Sequence, residues 1–79
     1  MNVTIYSTPT CIYCKMAKEF FKEHNVAYTE HNVAEDDAMR EEMIQKSGQM
    51  GVPVIDIDGK ILVGFNQPEV EAALGTNAA

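Results

Sequence analysis

The stretch VPVIDIDGKILVG, residues 52–64, constrains this 79-residue chain more than any other. Asp58–Gly59 is a tight-turn dipeptide, since both residue types tolerate the positive φ that a two-residue hairpin turn demands. Val54, Ile55 and Ile57 on one side and Ile61, Leu62 and Val63 on the other read as its two strands. These strands run antiparallel, and the remainder of the fold has to be assembled around them.

Upstream, residues 2–7 (NVTIYS) alternate Val3 and Ile5 against Thr4 and Tyr6, the pattern of a half-buried strand. Thr8–Pro9–Thr10 breaks it, with Thr10 the expected N-cap of a helix over about 12–24 that carries Met16, Ala17, Phe20 and Phe21 at helical spacing. Asn25 ends that helix. Residues 27–33 alternate again and read as a second strand. An acidic turn at 34–37 leads into a helix to about Ser47, with Met39, Met43 and Ile44 on one side and Gly48 as its C-terminal cap. Pro68 is placed at the first position of a last helix holding Val70, Ala73 and Leu74 and closed by Gly75. The order is β-α-β-α-β-β-α. Two strands joined through a helix are expected to be parallel with a right-handed crossover, and the hairpin is antiparallel, so the expectation is an α/β chain with a mixed four-stranded sheet covered by helices. Residues 1–75 form one domain, and 76–79 are expected to be a loose tail.

The composition excludes several functions. Six Lys and Arg against twelve Asp and Glu leave a net charge of −6, which repels phosphate backbones, so nucleic-acid binding is not expected. The start, MNVTIYS, lacks the features of a secretory peptide and nothing approaches eighteen consecutive apolar residues, so no membrane span is expected. Two cysteines are too few for a disulfide-stapled scaffold. The expected location is the reducing cytoplasm.

Both cysteines lie in STPTCIYCK, residues 7–15. Cys11 stands at the mouth of the first helix, where unpaired N–H groups and the positive end of the helix dipole favour an anion. It is the expected nucleophile, with Lys15 adding positive potential one turn on. Cys14, three residues later on the same side, is the expected resolving thiol. Cβ atoms so spaced are roughly 5–6 Å apart in regular helix and a disulfide needs about 3.5–4.5 Å, a difference the helix start can supply. A zinc site suits the chain poorly: nine residues separate Cys14 from His24 and six separate His24 from His31, against the roughly twelve and three to five of zinc fingers. A structural bridge closing so small a loop adds little stability. A redox dithiol is the reading that remains, and no metal is expected.

The cysteine pair at the start of the first helix, Val52–Pro53 before the hairpin, Gly64 after it and the segment REEMIQKSGQMGVP together resemble the glutaredoxin branch of the thioredoxin fold, over residues 2–75. The resemblance implies a thioredoxin-like fold with helices on both faces of the sheet, a thiol–disulfide oxidoreductase activity, and a cis Pro53 beside the cysteines. It also implies that the backbone of Val52 pairs with the bound thiol compound. Tyr13 would flank the substrate groove, Phe65 would form its far wall, and Asn66 and Gln67 with the helix-start N–H groups would hold a glutathione carboxylate. Glutathione is the implied co-substrate, no tightly bound cofactor is expected, and the chain is expected to be a monomer acting on protein disulfides or glutathione mixed disulfides.

The chain also departs from the family pattern. Ile12 replaces a common proline. Ser7–Thr8–Pro9 lacks the lysine that glutathione-using members usually carry before the first cysteine, and Gly51 replaces a usual threonine. GFNQPE, residues 64–69, is similar to a segment of glutaredoxin-like carriers that serve ribonucleotide reductase and are recharged by thioredoxin reductase. Some members lacking the proline assemble an iron–sulfur cluster between two chains. Three readings follow: a general disulfide reductase, a ribonucleotide-reductase carrier and a cluster-binding dimer. Elsewhere, Lys15, Lys18 and Lys22 read as a solvated face with a Lys15–Glu19 ion pair, the acidic runs at 35–37 and 41–42 as solvated surface, and Met39, Met43 and Met50 as gap fillers.

Overall fold

A computed structural model describes residues 2–75. The elements are β1 (Val3–Ser7), α1 (Ile12–Glu23), β2 (Thr29–Asn32), α2 (Asp37–Ser47), β3 (Val54–Ile57), β4 (Lys60–Val63) and α3 (Gln67–Leu74). The expected tail over 76–79 lies outside the described residues.

The four strands form one sheet in the order β2-β1-β3-β4. β1 pairs parallel with β2 and antiparallel with β3, and β3 pairs antiparallel with β4, so the sheet is mixed as expected. The hairpin turns at Asp58 (φ 51°) and Gly59 (φ 93°), the two positive φ values that the dipeptide was read to supply. Asp56 accepts the Gly59 N–H at 2.8 Å and locks the turn.

The pleat divides the core in two. Val3, Ile5, Ile55, Ile57 and Leu62 face one side, where Ala17, Phe20 and Phe21 of α1 and Val70 and Leu74 of α3 cover them. Tyr6 and Val54 face the other, where they meet Val33, just beyond β2, and Met43 of α2, with Met39 and Ile44 packed alongside. Helices therefore lie on both faces, two on one and α2 on the other. The α2 side is also tied by polar groups. The buried Tyr6 hydroxyl donates to Glu42 at 2.5 Å and accepts from Lys46 at 2.8 Å, and Lys46 reaches Asp56 of β3 at 2.8 Å.

Four details differ from expectation. Cys11, not Thr10, is the N-cap of α1: a turn through Pro9 and Thr10 donates the Cys11 N–H to the Thr8 carbonyl at 3.3 Å and delays the helix to Ile12. β2 begins at Thr29 because the Val26 N–H is still closing α1 onto the Phe21 carbonyl at 2.8 Å. Asn66 caps α3, with its side chain accepting the Glu69 N–H at 3.2 Å, so Gln67 is the first helical residue and Pro68 the second. Met50 is 68% exposed and fills no gap, whereas Met43 is fully buried and Met39 packs against the same cluster.

Candidate functional site

β1 and β3 bring the expected residues to one end of the sheet. Tyr6 pairs with Val54 at the last step of that antiparallel register, so the chain leaves the sheet after Ser7 at the end where Pro53 enters it. The loop that carries Cys11 thus leaves the sheet beside the Val52–Pro53 segment. The Val52–Pro53 peptide is cis. The Gly64 N–H donates to the Pro53 carbonyl at 2.8 Å, which brings the end of β4 to the same rim. Gly64 sits at φ +82°, a conformation that a side chain would strain. Val52 itself is half-buried, and none of the turn and loop hydrogen bonds among the described residues uses its N–H or C=O.

The two cysteines are free and differ sharply in setting. Cys11 has extended backbone (φ −84°, ψ 116°) and is partly exposed, and its Sγ accepts the Cys14 N–H at 3.1 Å. The expected nucleophile is therefore also the helix cap, a place usually taken by Ser, Thr, Asp or Asn. Cys14 is fully buried one turn into the helix. Burial pushes its thiol up to about 12, the nearby Cys11 sulfur adds to this, and the Thr8 backbone N–H opposes it. Iodoacetamide at neutral pH is expected to modify the folded, reduced protein once, at Cys11, and twice only after unfolding. Intact-mass measurement reads one adduct against two, and two on the folded chain would contradict the shielding of Cys14.

The flanking residues divide into exposed and engaged. Ile12 (72% exposed) and Tyr13 (59%) stand out around Cys11. Lys15 is exposed on α1 and forms no salt bridge among the described residues, so the Lys15–Glu19 pair is absent. Lys18 is the lysine of that face with a partner, Glu30 of β2 at 2.8 Å. Phe65 packs on Phe20 with ring centroids 5.8 Å apart and helps to line a shallow depression of about 170 Å³ with Met16, Glu19, Glu23 and Gln67. No cation lines it. The two side chains expected to hold a carboxylate have partners within α3: the Asn66 oxygen caps the helix, and the Gln67 amide donates to Glu71 at 3.0 Å. No group of three or more His, Cys, Asp or Glu among the described residues could hold a metal ion. No helix among them is long and apolar enough to cross a membrane.

A β2-β1-β3-β4 sheet with helices on both faces, a Cys-x-x-Cys pair opening α1 and a cis-proline at the same end define a thioredoxin-fold chain of redox type. The thioredoxin-like protein BC3987, solved as its T8A mutant, superposes with a TM-score of 0.89 at 32% identity, covering 94% of this chain and 95% of that one. The glutaredoxin family model matches residues 3–62. An uncharacterised glutaredoxin-like 8.6 kDa protein in the rubredoxin operon of Clostridium pasteurianum is 54% identical over 69 residues, 87% of this chain and 92% of its own. Glutaredoxin 3 of Escherichia coli K12 is 41% identical over 63 residues, 80% of this chain and 76% of its own. The glutaredoxin-like protein NrdH of Lactococcus lactis subsp. cremoris is 37% identical over 68 residues, 86% of this chain and 93% of its own. The chain belongs to the glutaredoxin family and is a glutaredoxin-like redox protein.

Two features escaped the sequence reading. Cys11 as its own cap was masked by Thr10, a stronger capping type one residue earlier. The Lys18–Glu30 pair joins residues twelve apart on different elements, for which no local period exists.

Proposed function

We propose that the chain is a dithiol thiol–disulfide oxidoreductase that reduces protein disulfides and glutathione mixed disulfides through Cys11 and Cys14. The observation that carries this is the asymmetry of the pair: one accessible sulfur on the helix start, with a second thiol buried one turn beneath it. The Cys11 thiolate attacks a substrate disulfide, forms a mixed disulfide and expels the first substrate sulfur as a thiolate. Cys14 then attacks the Cys11 sulfur, the Cys11–Cys14 bond forms and the second substrate thiol departs. Two electrons pass from the dithiol to the substrate, and a donor thiol or reductase restores the pair. The backbone of Val52, without a hydrogen-bond partner among the described residues, is suited to align the substrate's own backbone beside Cys11.

Glutathione is a weak co-substrate in this reading. A tripeptide with two carboxylates is held best by cations and free N–H donors. Here the depression beside α3 is rimmed by Glu19 and Glu23, the Gln67 amide is already on Glu71, and no lysine precedes Cys11. The same observations favour a second reading, an electron carrier for ribonucleotide reductase recharged by thioredoxin reductase, which the likeness to NrdH supports over most of both chains. A cluster-bridged dimer is less well served. Four thiolates hold such a cluster, and with Cys14 fully buried two chains offer two accessible ones, so two external thiolates would have to complete the set.

The deciding experiment is reduction of a glutathione mixed disulfide coupled separately to glutathione with its reductase and to thioredoxin reductase. Turnover that stays unsaturated through the millimolar range of glutathione is the expected outcome. Saturation at low glutathione would overturn the weak-binding argument, turnover with thioredoxin reductase alone would establish the carrier reading, and none with either would end both.

A further inference from the structure

The proposed reaction leaves a physical difficulty at its second step, and the inference drawn here rests on that reading. Cys14 resolves the mixed disulfide only as an anion, yet its sulfur lies in the interior, where an uncompensated charge is costly. Burial holds the thiol well above its ordinary range, so the neutral form is strongly favoured at pH 7.

Lys18 stands one helical turn beyond Cys14 on the same face of α1. Its side chain is 24% exposed, and its Nζ donates to Glu30 Oε2 at 2.8 Å. The same oxygen accepts the Ser7 hydroxyl at 2.7 Å, and Ser7 is itself 1% exposed at the end of β1. The next residue, Thr8, has a backbone that favours the Cys14 thiolate. The end of β1, the middle of β2 and the first half of α1 thus converge beside the buried thiol. Lys18 and then Ser7 hold the Glu30 carboxyl below the usual carboxylate range, and Glu30 raises the Lys18 ammonium, so this brace is ionised throughout the neutral range. The Lys18 ammonium, four residues along the helix from Cys14, favours the Cys14 thiolate, the last of the influences upon it in the reduced pair. The other charged or titratable groups that bear on the brace are Tyr28, which acts on Lys18, and Lys22, which acts on Glu30.

We propose that Lys18, braced by Glu30 and Ser7, is the positive charge that lets the buried Cys14 sulfur turn anionic as it attacks the Cys11 mixed disulfide. In that step Cys14 gives up its proton to solvent and its sulfur bonds to Cys11 Sγ. The bond from Cys11 to the substrate sulfur breaks, and the substrate leaves with the electron pair and takes up a proton. Lys18 keeps its own proton throughout and acts through Cys14 as a positioning residue.

The aromatic disulfide 5,5′-dithiobis(2-nitrobenzoate) separates the two steps. Cys11 releases a first coloured thiolate on attack, and Cys14 releases a second on resolution. In Lys18→Met the second phase is expected to slow about tenfold at pH 7, the equivalent of one unit in its pH profile, with that profile moved to higher pH and the first phase unchanged. Lys18→Arg, which keeps the charge, is expected to restore the second phase. An unaltered second phase in Lys18→Met, or equal slowing of both phases, would overturn the assignment. A missing second phase in the unsubstituted protein would instead overturn the dithiol reading, and this assignment with it.

Discussion

Cys11→Ser is expected to lower disulfide reduction by on the order of 10³-fold or more, since it removes the attacking atom rather than a supporting one. The substituted chain should still fold normally. Serine is among the best N-cap residues, and its oxygen can take the Cys14 N–H that Cys11 Sγ accepts at 3.1 Å. Cys14→Ser has a different signature. The first attack proceeds, resolution does not, and the substrate half stays attached to Cys11. Turnover assays read the first effect, and intact mass after exposure to a peptide disulfide reads the second. A Cys11→Ser protein that still turned over, or an adduct found on position 14 of the unsubstituted chain, would reverse the assignment of the two sulfurs.

The largest effect on stability is expected from Phe21→Ala. Phe21 is fully buried in the core under α1 and α3, with its ring 6.1 Å from that of Phe20 and 5.3 Å from that of Tyr28. Truncating a buried phenylalanine costs about 3–5 kcal/mol. A domain of this length has a total stability of about 4–12 kcal/mol, so the substitution removes a large part of it. At about 4–8 °C per kcal/mol for small domains, the melting temperature should fall by about 12–40 °C. Thermal unfolding followed by circular dichroism measures this. A fall of only a few degrees would mean that the α1 side of the sheet closes over the missing ring, contrary to the close packing around Phe21.

What the sequence made legible was local. The Asp58–Gly59 turn, the caps at Gly48 and Gly75 and the alternation in β1 each follow from the chemistry of a few adjacent residues, and each has its expected place in the structure. The cis Val52–Pro53 bond is different in kind: it followed from likeness to a family, because nothing in a Val-Pro dipeptide alone favours that isomer. The less legible features are contacts between distant residues. Tyr6 reads as an alternating strand residue, yet its hydroxyl meets Glu42 and Lys46, which lie 36 and 40 residues away. Ser7 reads as the end of a strand, yet it bonds Glu30 across 23 residues. Lys18 looks like one of three equivalent lysines until β2 brings the Glu30 carboxylate to 2.8 Å from its ammonium. Polar pairs of this sort depend on which strand lies beside which, and that is a property of the assembled sheet.

The unequal division of the core bears on how the protein meets its substrates. Among the described residues ten buried side chains hold the α1–α3 side together, whereas four hold the α2 side, where the Lys46–Asp56 ion pair and the Tyr6–Glu42 hydrogen bond complete the attachment. Local opening follows the sparser and more polar packing. The two walls of the reactive cleft belong to different halves. Cys14 rides on the firmly seated helix and Cys11 caps it, while Val52 lies in the loop that leaves α2 for β3. One wall keeps the sulfurs in register, and in the reaction proposed above the other is the side free to yield.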